Sequence, residues 1–102
     1  MAINYRIFTD IELDELDRRA QIAADGIQEI WEGWWVSDDM GPFHSEIMEE
    51  YGFDRGFLTR FITRHRKDRS VEAREKLLEF YATLPGRKLV LNGDVLVDCQ
   101  KA

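Results

Sequence analysis

With 102 residues, 44% of them hydrophobic and 33% charged, the chain has the size and make-up of one folded domain spanning residues 1–102. No apolar run approaches the ~20 residues a membrane-spanning helix needs, and MAINYRIFTD lacks the basic-then-apolar layout of a signal peptide. The single cysteine, Cys99, cannot form an internal disulfide, so the expectation is a cytoplasmic protein with no membrane partner.

The formal net charge of -6 is unevenly divided. Residues 1–54 hold 3 basic and 14 acidic side chains, a net -11, whereas residues 55–102 hold 11 basic and 6 acidic, a net +5. Fields decay over about 8 Å at physiological salt, so a ligand beside the arginine-rich half responds to that half first.

Taken in chain order, Ala2–Phe8 alternates, with Ile3, Tyr5 and Ile7 on one side, and predicts a short strand. Thr9-Asp10-Ile11-Glu12 has the form of a capping box. From there Leu13, Leu16, Ala20, Ala23, Ile27, Ile30 and Trp34 recur in steps of three and four, which predicts a long amphipathic helix from about Asp10 to Val36. Asp25-Gly26 interrupts it. Unbroken, such a helix would run roughly 40 Å, so it either kinks there or projects and pairs as a homodimer.

A loop at 37–42 precedes two helices expected at about Pro42–Tyr51 and Asp54–Lys67, the second capped by Asp54. A further helix opens at Asp68-Arg69-Ser70, runs to about Thr83 with Leu77, Leu78, Phe80 and Tyr81 inward, and stops at Leu84-Pro85-Gly86. Lys88–Leu91 and Val95–Val97 flank Asn92-Gly93 and predict a β-hairpin. The expected fold class is α+β: four to five helices, including a long N-terminal helix and a central pair, with a small antiparallel sheet from the N-terminal strand and the C-terminal hairpin.

The central pair, with Gly52 at its corner and Ile47, Tyr51, Phe53, Leu58 and Phe61 at buried offsets, resembles the helix-turn-helix of DNA-binding proteins over about residues 42–66. Met48 and Gly56 depart from that pattern. The resemblance implies a non-enzymatic regulatory protein that binds duplex DNA. Arg55, Thr59 and Arg60 would then face base edges, and Thr63, Arg64, Lys67 and Arg69 would meet phosphates. Arg87 and Lys88 of the hairpin would approach the backbone as a wing.

A second reading comes from the acidic half. Glu29, Glu32, Trp34, Trp35, Asp38 and Asp39 place tryptophans beside carboxylates, the composition of a protein-binding hot spot. In general character such a chain resembles acidic phage-encoded inhibitors of host defence, including anti-CRISPR proteins, which implies a host protein as partner. An enzyme is not expected. His44 and His65 have no companions at metal-ligand spacing, no glycine-rich phosphate loop is present, and neither metal nor cofactor is called for.

Overall fold

Alternation at Asn4-Tyr5-Arg6-Ile7-Phe8-Thr9 sends Tyr5, Ile7 and Thr9 to one side of a strand and Arg6 and Phe8 to the other. In the computed structural model, which describes residues 3–93 and 95–100, this strand (β1, Ile3–Thr9) is the middle of a five-stranded antiparallel sheet. The predicted Ala2 and the side chain of Ile3 lie outside the described residues. The other strands are β2 (Gly33–Ser37), β3 (Thr59–His65), β4 (Lys88–Asn92) and β5 (Val95–Gln100), in the order β2-β3-β1-β4-β5. Three α-helices complete the fold: α1 (Leu13–Ala24), α2 (His44–Glu50) and α3 (Ser70–Thr83), the last preceded by a 3-10 turn at Lys67–Arg69.

The expected four to five helices are therefore corrected to three, and the small sheet to five strands. The long N-terminal helix ends at Ala24. Gly26 adopts φ +80°, and Ile27–Trp31 closes into turns through Ile30 N–H and Trp31 N–H, both donating to the Ile27 carbonyl. A continuous helix of roughly 40 Å would also outrun the 37 Å longest dimension of the molecule. The later members of the apolar stripe reach the core by other routes: Ile27, Ile30 and Trp34 pack against the cluster that holds the buried Trp31, a residue outside the predicted stripe. The capping box is replaced too: Glu12 sits at the helix N-cap with no side-chain bond, while Thr9 Oγ1 accepts the Ile11 N–H at 3.2 Å.

The second helix of the central pair is also absent. Thr59-Arg-Phe-Ile-Thr-Arg-His is rich in β-branched and aromatic residues, which suit a pleated surface, and it forms β3. It pairs with β1 on one side (Ile7 opposite Phe61) and with β2 on the other (Val36 opposite Phe61). Asp54 caps no helix; residues 51–58 are a loop.

Elsewhere the punctuation works as expected. Leu84 ends α3, Gly86 turns the chain at φ +76°, and Gly93 turns between β4 and β5 at φ +62°. A bulge near Val90–Leu91 shifts the β4–β5 register.

The two faces of the sheet are covered unequally. On one, α1 and α3 bury a core of Tyr5, Ile7, Leu16, Ala20, Trp31, Phe61, Leu77, Phe80 and Val90, with Phe61 and Phe80 edge to face at 4.8 Å between ring centroids. On the other, α2, the 51–58 loop and Met40 of the loop before α2 close over Phe8, Leu89 and Leu91, chiefly through Met48, Phe53 and Phe57. Free Cys99 is half-buried beside this second cluster. Among the described residues no helix is long and apolar enough to cross a membrane.

Candidate functional site

Because residues 59–65 form a strand, their side chains alternate instead of sharing a helical face. Thr59 and Thr63 point into the helical side. Thr59 Oγ1 lies 2.7 Å from Thr9 Oγ1 and donates to the Ile11 carbonyl at 2.7 Å; Thr63 is fully buried. Neither threonine can touch a ligand. Arg60 and Arg64 point the other way, so the proposed set splits into an inner pair and an outer pair.

Arg55 lies on the loop before β3 and ion-pairs with Asp10 at 3.3 Å. Lys67 and Arg69 belong to the 3-10 turn; Arg69 holds Glu72 at 2.9 Å, which raises its pKa. Arg87 and Lys88 are interior. Arg87, 4% exposed, grips Asp10 through Nε and Nη2 (2.9 and 3.2 Å) and donates to the carbonyls of Arg55 and Gly56 (3.0 and 2.7 Å). Its guanidinium lies 4.3 Å from the Phe57 ring centroid. Lys88 Nζ donates to the Tyr81 and Leu84 carbonyls at 2.7 and 2.9 Å, satisfying the end of α3. These two cations hold the fold together and leave nothing for a wing.

Of the acidic set, Glu29, Glu32, Asp38 and Asp39 are exposed. Asp39 closes its own loop, accepting the Gly41 N–H at 3.0 Å. Trp34 turns inward against Phe61, with ring centroids 6.0 Å apart. Trp35, its neighbour, turns outward and is 47% exposed.

The outward residues of β1, β2 and β3 make one surface. Ile62 is at its centre, opposite Trp35 on β2 and Arg6 on β1; Arg60 and Arg64 flank it along β3. Gly33 and Asn4 stand opposite Arg64, and Ser37 and Phe8 opposite Arg60. Ile62 is only 6% exposed, so the side chains around it cover it, while Trp35, Arg64 and Asn4 remain exposed. None of these strand positions holds a carboxylate. Among the described residues Arg64 and Arg60 form no ion pair, and no ring or cation stacks on Trp35. Arg6 donates through Nη2 to the Gly93 carbonyl at 2.8 Å.

The loop before α2 forms a rim beside Arg60. A Cβ at Gly41 would stand 3.3 Å from Arg60 Nη1, and Gly41 takes φ +79°, so glycine lets the loop close down on the guanidinium. Behind it His44 Nε2 accepts the Phe57 N–H at 3.0 Å, which makes Nδ1 the protonated nitrogen. Burial lowers the His44 pKa, and the positive charges of Arg60 and Arg87 push it the same way. A Cβ at Gly56 would lie 2.7 Å from that Nε2, so the residue marked as a defect in a recognition helix is a packing requirement of this loop. His65, fully buried on β3, stacks on Tyr5 at 5.3 Å and 22°; burial lowers its pKa as well, against a smaller raising effect from Glu32.

Trp35, Arg60 and Arg64 were all named in the sequence, but in two rival sets; the fold joins them. Arg6 was missed. Its signal was the polar position in the alternation of β1, facing away from Tyr5 and Ile7. A groove of about 560 Å³ between α1 and α3 has walls whose cations are paired: Arg18 and Arg19 bond Glu15, and Lys76 reaches Glu79. Among the described residues no group of three His, Cys, Asp or Glu side chains is placed to hold a metal ion.

No protein-family model, curated protein or solved structure matches this chain.

Proposed function

We propose that this protein is a non-enzymatic nucleic-acid-binding protein whose contact surface is the uncovered sheet face around Ile62. One observation carries this reading: Arg60 and Arg64 of β3, which form no ion pair among the described residues, share a face with the exposed Trp35, and no strand position of that face is acidic. Cations left without internal counter-charges bind a polyanion strongly, because each phosphate they neutralise releases condensed counterions. The overall charge of -6 does not forbid this, since most carboxylates lie on the helices and loops and screening limits their reach to about 8 Å. The expected regulatory role in DNA binding thus passes from a helix pair, which the fold lacks, to a sheet.

A salt titration tests it. With Arg60 and Arg64 as contacts, log affinity should fall with log salt at a slope of about -1.4 to -1.8. Arg64→Ala should weaken binding and make that slope shallower by nearly one. Absence of binding to any nucleic acid at low salt would end the proposal.

A protein partner is the second reading, favoured by the exposed Glu32, Asp38 and Asp39 at the two ends of edge strand β2, with Trp35 between them. Such a partner would add its own strand to β2 or cover Trp35. Recovery of a stoichiometric protein complex that Arg64→Ala leaves intact and Trp35→Thr destroys would establish it over the first.

A further inference from the structure

Resting on the nucleic-acid reading, we infer that the ligand is a single-stranded polynucleotide, with an unpaired base stacked on Trp35 and the phosphates on either side of it held by Arg64 and Arg60. The indole stands on the flat of a sheet, not on a projecting element. In a duplex the base faces are covered by their neighbours and only the edges are offered, so a surface indole has nothing to stack on. A single strand can turn a base face outward onto an aromatic ring, and any base will serve.

The register sets the spacing. Trp35 is directly opposite Ile62, and Arg60 and Arg64 are the two diagonal positions on β3, roughly 7–8 Å from it and somewhat less between Cβ atoms. A cation therefore stands to each side of the stacked base along the strand direction. Gly33, opposite Arg64, has no side chain, and a Cβ added there would meet nothing within 4 Å. Its φ is not in the left-handed region, so backbone conformation does not demand glycine at this place. What glycine does here is leave the approach to Arg64 clear.

Among the described residues nothing pairs with the outer edge of β2, so a chain crossing the face can enter and leave over that edge. On the opposite flank α2 and the 51–58 loop stand above the sheet over Phe8, Leu89 and Leu91. The path is thus a shelf with one wall. It suits a thin flexible strand and leaves no flat bed for a rigid double helix.

The experiment compares labelled oligothymidylate of about ten nucleotides with a duplex of equal length by fluorescence anisotropy at low salt, using the wild type, Trp35→Thr and Gly33→Glu. The single strand should bind at least about tenfold more tightly than the duplex. Trp35→Thr should weaken it by roughly five- to hundredfold, the loss of one stacked base, and leave any duplex binding unchanged. Gly33→Glu, which sets a carboxylate against Arg64 where there is room for it, should weaken the single strand comparably. In the wild type, the indole resonance of Trp35 should shift on adding oligothymidylate and stay in place on adding duplex, a readout that needs no variant to fold.

Equal affinity for duplex and single strand, a change under about twofold in a folded Trp35→Thr protein, or an unmoved indole resonance would overturn the inference while leaving nucleic-acid binding itself in place. Failure of the wild type to bind either probe would remove the nucleic-acid reading, and this inference with it.

Discussion

On the helical side of the sheet, Arg18 and Arg19 share Glu15, Arg69 holds Glu72 and Lys76 reaches Glu79, all within one helical turn. On the other side Arg64 stands on a strand whose outward neighbours are Gly33, Asn4 and Ile62, with no carboxylate among them. Arg18, Arg19 and Arg69 are closed off in one region, where Arg74 of α3 is the exception among the described residues, and Arg64 is left open in the other; local geometry makes the difference. A helix returns to the same side after three or four residues, so i,i+3 and i,i+4 acids and bases meet. A strand brings cross-strand neighbours together instead, and here those neighbours are uncharged. Exposed helical pairs of this kind contribute little to stability. Their effect is to remove cations from the field a ligand would meet.

A third location sharpens the contrast, because Arg87 is a cation enclosed in the protein. Removing it should have the largest effect on stability. Arg87→Ala strips Asp10 of its main partner and leaves two loop carbonyls without a donor, so about 3–5 kcal/mol should be lost in denaturant unfolding. If Arg87→Ala were as stable as the wild type, the division of cations into interior and open sets would fail.

Next in size is Gly56→Ala. Its methyl group would press on His44 Nε2 and break the bond from the Phe57 N–H, at a cost of about 1–3 kcal/mol. A chevron or equilibrium melt reads this directly, and a loss within about 0.3 kcal/mol would show that the loop yields freely.

The buried histidines predict a pH dependence. His44 and His65 both have pKa values held below the ordinary 6.5 in the folded state. The unfolded chain therefore binds more protons between the two values. Stability is full above about pH 6.5 and falls as pH drops below it. His65→Phe should flatten that part of the profile, leaving only the His44 contribution. An unchanged slope between pH 5 and 6.5 in the variant would mean that His65 is not the group titrating.

Smallest in stability terms is Arg64→Ala. It should move the unfolding free energy by less than about 0.5 kcal/mol while reducing nucleic-acid affinity. Lys76→Ala, on the paired side, should change neither stability nor binding appreciably. Equal losses of affinity in the two variants would erase the distinction between the regions.

The elements read correctly from sequence were those with unambiguous ends. Leu84-Pro85-Gly86 stops α3, and Asn92-Gly93 lies where β4 turns toward β5. Failures came where spacing admits more than one backbone. Ile27, Ile30 and Trp34 continue the three-four rhythm of α1, yet turns and a strand bring the same residues to the core. Thr59–His65 hid its alternation because its inner positions include two threonines and a histidine and its outer face includes Ile62. Polar residues inside and an apolar one outside invert the usual strand signature. The site suffered from the same error. Read as a helix, Thr59, Arg60, Thr63 and Arg64 form one face; as a strand, half of them are interior. That Trp35 joins Arg60 and Arg64 depends on β2 pairing with β3, a contact between segments about 25 residues apart that no local pattern encodes.

The most direct test is residue-resolved chemical-shift mapping of the wild type titrated with oligothymidylate. The largest changes should fall on Trp35, Arg64, Arg60, Asn4 and Gly33, with α1 and α3 unaffected. Changes concentrated on Arg18, Arg19, Lys76 and their neighbours, with the sheet face silent, would contradict the assignment of the open face as the binding surface.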